Sequence, residues 1–169
     1  TYYNRSDRRF GISFNRQPST DYTVVVGAGI ADPYGNTLGR ETTTRFTTRA
    51  LEPQAYLNVP GQIGTYSAYT DTKLFVVYRN IATMDFTLAR MSLQDFARVT
   101  GDNGWQVWQN YTPAPGTTVR QWSVEAAQDV KLNETAFLKT YLAEDGKALK
   151  PGLYYFEVTS PQENKSGQD

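Results

Sequence analysis

Apolar residues recur at every second position along most of the chain. Phe10, Ile12 and Phe14 alternate with Gly11 and Ser13, and Tyr22, Val24 and Val26 follow a Pro-Ser-Thr-Asp turn. Thr44, Phe46 and Thr48 form a third short segment beyond the polar loop around Gly35 and Asn36. Further on, Ala55, Leu57 and Val59 alternate with Gln54, Tyr56 and Asn58 until Pro60-Gly61. A period of two places alternate side chains on opposite faces of a half-buried strand. Leu74 to Tyr78 is apolar on both faces, as a central strand is. Met84, Phe86 and Leu88 oppose Asp85, Thr87 and Ala89, and Tyr66–Tyr69, Trp105–Trp108, Val119–Val124, Ala136–Leu142 and Tyr154–Val158 complete the expected strands. Short strands separated by turn formers predict an all-β protein built from antiparallel β-sandwiches.

One segment departs from this rhythm. Ser92 to Val99 opens with S-x-x-D, so Ser92 can cap the amide of Asp95 while Asp95 bonds back. Leu93, Phe96 and Ala97 share a helical face, and Gly101 suits a left-handed stop. One short helix is therefore expected. Arg49-Ala50-Leu51-Glu52-Pro53 is the best boundary, since a threonine-rich strand ends there and proline restricts the residue before it. Residues 1–49 carry seven bases and four acids and residues 50–169 ten and thirteen, which agrees with two units. Residues 162–169 are polar and read as a disordered tail.

Composition removes chemistry more than it adds any. The 169 residues include no cysteine and no histidine, and seventeen bases balance seventeen acids. There is thus no disulfide, thiol nucleophile, thiolate zinc site, imidazole base or Ser-His-Asp triad. A metal site would need oxygen ligands alone. The charge balance gives no electrostatic footprint for nucleic acid. No apolar run reaches the length of a membrane span, and the stretch from Thr1 does not read as a signal peptide.

Four candidate sites stand beside simpler structural readings. Asp32-Pro33-Tyr34-Gly35-Asn36 could be a calcium loop, but two nearby oxygen ligands fall short of six, and a turn with Pro33 fixing φ explains the string. Trp105, Trp108, Tyr111 and Trp122 could stack on sugar rings. In a strand, however, Trp105 and Trp108 point to opposite faces, which favours packing. Glu144-Asp145-Gly146-Lys147 reads as a hairpin turn, and Lys150-Pro151-Gly152 as another turn. N-x-[ST] sequons occur at Asn4, Asn110, Asn133 and Asn164, a short pattern that matters only in a eukaryotic secretory pathway. No residue is assigned a catalytic, cofactor-binding or metal-binding role, and paired carboxylates for glycosidase work have nothing in their favour.

Two resemblances rest on particular residues. Phe10-Gly11-Ile12-Ser13-Phe14, Asp21-Tyr22-Thr23-Val24-Val25-Val26, Asp32-Pro33-Tyr34-Gly35-Asn36 and Arg45-Phe46-Thr47-Thr48 resemble the "Y-T-V-x-V … D-x-x-G-N … F-x-T" ending of a bacterial Ig-like domain. The earlier strands of that family are missing. Residues 50–161 are similar to a macroglobulin-like β-sandwich of bacterial alpha-2-macroglobulins. The similarity is carried by Ala55 to Val59, Lys73 to Asn80, the helix after Phe86 to Arg90, and an "R-x-W … L-x-P-G-x-Y-x-x-x-V" ending formed by Arg120-Gln121-Trp122 and Leu149 to Val158.

The resemblance implies a non-enzymatic scaffold fragment of a protease inhibitor located in the bacterial periplasm, at the cell surface or secreted. Its implied partners are neighbouring domains of the parent chain and, through the full-length protein, proteases; no cofactor, small-molecule ligand or nucleic acid is implied. Without cysteine the chain cannot hold the Cys-x-x-Gln thioester of some members. A carbohydrate-binding or adhesive module is the alternative, and a carboxylate glycosidase ranks third. The first segment supplies about three strands where an Ig-like sandwich has about seven. It is therefore expected to be completed by upstream strands, by residues 50–169, or by strand exchange into a homodimer.

Overall fold

A computed structural model describes residues 2–4 and 9–162, with residues 2–4, 9 and 10 described by their backbone alone. The chain divides into two compact units, Thr1–Leu51 and Glu52–Asp169. In the first, β1 (Tyr2–Asn4) pairs with β2 (Arg9–Gly11), and β3 (Asp21–Val26) pairs with β4 (Thr42–Thr47), both antiparallel. The strand expected through Phe14 stops at Gly11, and Ile12 and Phe14 lie outside any strand. Phe14 meets the edge of Tyr22 at 5.2 Å, and Tyr22 stacks on Phe46 at 5.5 Å. These three rings, with the Tyr22 hydroxyl accepting from the Gln17 N–H at 2.6 Å, hold the ribbon's apolar side.

The second unit has two three-stranded antiparallel sheets. One orders β5 (Gln54–Leu57), β6 (Lys73–Arg79) and β9 (Ala136–Tyr141) with β6 in the centre. The other orders β10 (Tyr154–Thr159), β7 (Thr83–Arg90) and β8 (Thr118–Glu125) with β7 in the centre. The inward side chains Ala55, Val76 and Tyr78 of the first sheet pack with Met84 and Phe86 of the second, flanked by Leu138, Trp122, Phe156 and Val158. Leu74, Leu88 and Leu142 extend the same layer. Phe86, Met84, Leu88 and Val76 are fully buried, each contributing about 1.5–3 kcal/mol relative to exposure. The ion pairs Lys73–Asp71, Arg98–Asp95 and Lys147–Asp145 are solvent-exposed and weigh little against that core.

The all-β antiparallel class thus holds, but the unit contains two helices rather than one. The first, α1 (Leu93–Thr100), begins as its sequence predicts: the Asp95 N–H donates to Ser92 Oγ at 3.0 Å, and the Ser92 hydroxyl donates back to the Asp95 carboxylate at 2.8 Å. Its buried face is Phe96 and Val99 rather than one that includes Leu93, which is exposed. Gly101 is extended, with φ −83°, and is not a left-handed stop; Asn103, at φ 64°, takes that conformation instead. That turn launches α2 (Gly104–Gln109), where a strand through Trp105–Trp108 is expected from the pattern. Gly104 is forced by space, since a Cβ there would overlap the Val99 carbonyl group. Tyr66–Tyr69 also forms no strand.

Further departures concern connections. The Asp145-Gly146 turn, with Gly146 at φ 69°, does not close a hairpin, because β9 and β10 belong to different sheets. It lies on a crossover that carries the chain from one layer to the other. Gln162, expected in a disordered tail, is anchored: its Oε1 accepts the N–H groups of Ala82 and Thr83 at 3.4 Å and the Ser160 hydroxyl at 2.8 Å. The rest of that tail lies outside the described residues.

The two helices cover part of the outward face of the second sheet. Tyr155 is buried there among Met91, Val99, Phe96, Val107 and Leu153, with Trp108 and Tyr111 edge-on or tilted against its ring at 5.7 and 5.1 Å. Burial, aided by the Glu157 carboxylate, pushes the Tyr155 phenol up to about 12 from an ordinary value of 10.0. Burial also raises Tyr111. The fold therefore favours neutral phenols, and their contribution is complete below about pH 10 and lost as pH rises toward 12. Urea midpoints measured from pH 8 to 12 should fall across that window, and Tyr155→Phe should flatten part of the fall. An unchanged fall in the variant would remove Tyr155 as its source.

Candidate functional site

The motif residues form the clearest local constellation. On β8, Arg120, Trp122 and Val124 share the inward face. The Arg120 guanidinium lies over the Trp122 ring at 4.0 Å and donates from Nη1 to the carbonyl oxygens of Tyr141 at 2.8 Å and Leu142 at 3.4 Å. Tyr141 ends β9 in the opposite sheet, so one side chain ties the two layers together. The cation is held by a ring face and two carbonyls, with no carboxylate needed.

Beyond β9 the chain crosses over through the second half of the motif. Leu149 packs into the Leu74–Leu88–Leu142 cluster, and its N–H donates to Thr72 Oγ1 at 3.5 Å. The Tyr154 hydroxyl donates to the Lys150 carbonyl at 2.8 Å, which closes the Lys150-Pro151-Gly152 turn. The Leu153 carbonyl accepts the Met91 N–H at 3.0 Å, and Arg90 lies over the Tyr154 ring at 5.2 Å. A Cβ at Gly152 would approach Arg90 Nη1 to 3.0 Å, so glycine leaves room for that guanidinium. The Arg120 guanidinium, the Leu149 N–H and the Tyr154 hydroxyl are thus all engaged within the sandwich and its crossover.

The remaining candidates are distributed. The four aromatics proposed as a sugar platform do not come together. Trp122 stacks on Phe86 in the core, Trp108 and Tyr111 pack on Tyr155, and Trp105 is 59% exposed. A helix, not a strand, accounts for the different fates of Trp105 and Trp108. In the Asp32 loop both carboxylate oxygens are engaged by the loop itself. Oδ1 accepts the N–H groups of Tyr34 and Asn36 at 2.9 Å, Oδ2 accepts the Asn36 amide at 2.8 Å, and Gly35 takes φ 86°. The Asn36 side chain, more than any other group, lowers the Asp32 carboxyl below its ordinary value. Asp145 is lowered likewise, chiefly by the Lys147 backbone N–H.

Of the sequons, the Asn133 side chain accepts from the Asn80 amide at 3.2 Å while its N–H donates to Asn80 Oδ1 at 2.7 Å. Asn110 donates its amide to the Gln106 carbonyl at 3.0 Å. Asn4 lies on β1, and Asn164 falls outside the described residues. Concavities among the described residues include the following two. One of about 260 Å³ in the second unit is lined by Tyr78, Asn80, Ile81, Ala127, Val130, Lys131 and Leu132. The other, about 380 Å³ in the first, is lined by Arg16, Gln17, Pro18, Phe46, Thr47, Thr48, Arg49 and Leu51. Neither gathers a group of metal-ligating side chains, and no such group of three occurs among the described residues. No helix of the described residues is long and apolar enough to cross a membrane.

Sequence reasoning did not single out one surface. On the outward side of β5–β6–β9, Tyr56, Val77 and Phe137 lie directly opposite one another across the three strands, and Phe75 sits two residues from Val77. The signal was present in the pattern, since Leu74 to Tyr78 is apolar on both faces. Aligning it with Tyr56 and Phe137 requires the register.

The Arg120 clasp predicts a defined loss. Arg120→Met keeps the apolar stem over Trp122 but removes both hydrogen bonds, and should cost about 1.5–3 kcal/mol. Denaturant unfolding with an unchanged slope should report it; a loss under about 0.5 kcal/mol would show that the tie between layers is ornamental.

No family model matches the chain, and no curated protein matches it. Among solved structures, the chain is similar to native alpha-2-macroglobulin from Escherichia coli, in a crystal structure spanning domains MG0-NIE-MG1. The likeness covers 90% of this chain at 16% identity with a TM-score of 0.46, and this chain spans 47% of that one.

Proposed function

We propose that this chain is a non-catalytic scaffold module of a larger protein resembling the bacterial alpha-2-macroglobulins, a protease inhibitor of the cell envelope. The observation that carries the reading is the use of the motif residues. Arg120, Trp122, Leu149, Gly152 and Tyr154, the positions on which the sequence resemblance rests, all close the sandwich. Residues engaged in this way maintain a shape. In this reading the partners are neighbouring domains of the parent chain. They also supply the strands that the β3–β4 ribbon lacks, since an isolated two-stranded ribbon is marginal in water.

The test compares the parent polypeptide with this chain alone. The parent, incubated with trypsin, should block digestion of a large protein substrate while leaving cleavage of a small chromogenic peptide largely intact. This chain alone should protect neither substrate and should hydrolyse no glycoside. A parent that leaves both trypsin activities untouched contradicts the proposal, as does steady turnover of any substrate by this chain.

A further inference from the structure

The outward face of β5–β6–β9 carries an unusual combination of side chains. Its centre is apolar: Tyr56 is 50% exposed, Phe75 44% and Phe137 66%, around Val77 at 5%. Its ends are basic. Along β6 the outward positions read Lys73, Phe75, Val77, Arg79, and Lys139 lies opposite Phe75 on β9. No outward strand position on this face is acidic. Asp71 pairs with Lys73 at 3.2 Å from the rim. Lys139 lies over the Tyr141 ring at 5.3 Å, and Arg79 donates to the Glu52 carbonyl while its buried Nε has no acceptor. The face thus presents an apolar centre with surplus positive charge.

We propose that this face docks another protein through an extended segment in which acidic residues flank apolar ones. Successive outward residues of β6 are about 6.6 Å apart, so Lys73 and Arg79 stand roughly 20 Å apart with two apolar positions between them. A segment lying over β6 matches that spacing with the pattern acid-x-apolar-x-apolar-x-acid. Its apolar residues fill the centre, and its carboxylates meet Arg79 and Lys73, the latter in competition with the exposed Asp71 at the rim. Charge complementarity of this kind selects the partner, while the desolvated centre holds it. A second copy of the chain fits less well because it brings one basic rim against another. Single-stranded nucleic acid fits less well because the chain has no net positive charge and one of the three cations is already paired.

The test uses the intact chain as bait for a phage-displayed library of random 12-residue peptides. Enriched peptides should share alternating apolar residues flanked by Asp or Glu. Phe137→Ser, at an exposed position, should weaken them at least tenfold with an unchanged melting temperature. Lys73→Glu with Lys139→Glu should replace the acid at the Lys73 end of the enriched peptides by a base while the acid facing Arg79 stays, which a merely greasy surface would not do. Lack of enrichment, enrichment without acids, or binding indifferent to Phe137→Ser overturns the proposal. So does tighter binding of oligo(dT) than of any peptide, or a dimer of the chain that Phe137→Ser disperses.

Discussion

Phe86 packs against two other rings at once, Trp122 at 5.2 Å and Phe156 at 5.9 Å, and Trp122 and Phe156 meet each other at 5.9 Å, so the three near-parallel rings form a triangle. Each ring comes from a different strand of one sheet, so the stack crosses all of β8, β7 and β10. Its other side is the inward layer of the opposite sheet, Ala55, Val76 and Tyr78. A sheet of three short strands cannot keep a face of this size in water, and neither sheet can cover its own. Mutual burial is therefore the constraint that the second unit obeys, and the remaining devices follow from it. The Arg120 clasp pins one margin, and the Leu149–Tyr154 crossover carries the chain between layers without opening the core.

Once both inward faces are used, the outward faces determine what the unit can meet. On the second sheet, α1 and α2 cover Tyr155 and build a smaller core of their own. That cover depends on Gly104, which lets the two helices approach as closely as backbone permits. The outward face of the first sheet has no such cover among the described residues, and its Tyr56, Phe75 and Phe137 project from a rigid platform.

Most strands were legible because alternation survives wherever one face is buried. Leu74 to Tyr78, apolar on both sides, was readable as a central strand, and β6 is one. The α1 cap was equally plain, since Ser92 and Asp95 are sufficient for it. What failed was local ambiguity. Trp105-Gln106-Val107-Trp108 carries strand-forming residues, yet its aromatics three apart suit a helix equally well, and the decision came from Asn103 turning left-handed and from Tyr155 needing cover. Asp145-Gly146 looked like a hairpin because turn chemistry reports a reversal and not the identity of the strands it joins. The apolar row of Tyr56, Val77 and Phe137 was hidden for a related reason: three residues scattered over 81 positions of sequence become neighbours only through pairing.

The central claim is that the aromatic stack of one sheet and the inward layer of the other form a single cooperative core. Native-state hydrogen exchange on the chain and on Phe86→Leu measures this most directly. The account predicts that amides of β6 and β7 exchange through the same global opening, and that the substitution lowers protection in both sheets by equal free energies. Amides of α1 and α2 should open earlier and should change less. If the substitution weakens only β7, β8 and β10 while β5, β6 and β9 keep their protection, the two sheets are separate units and the account is wrong.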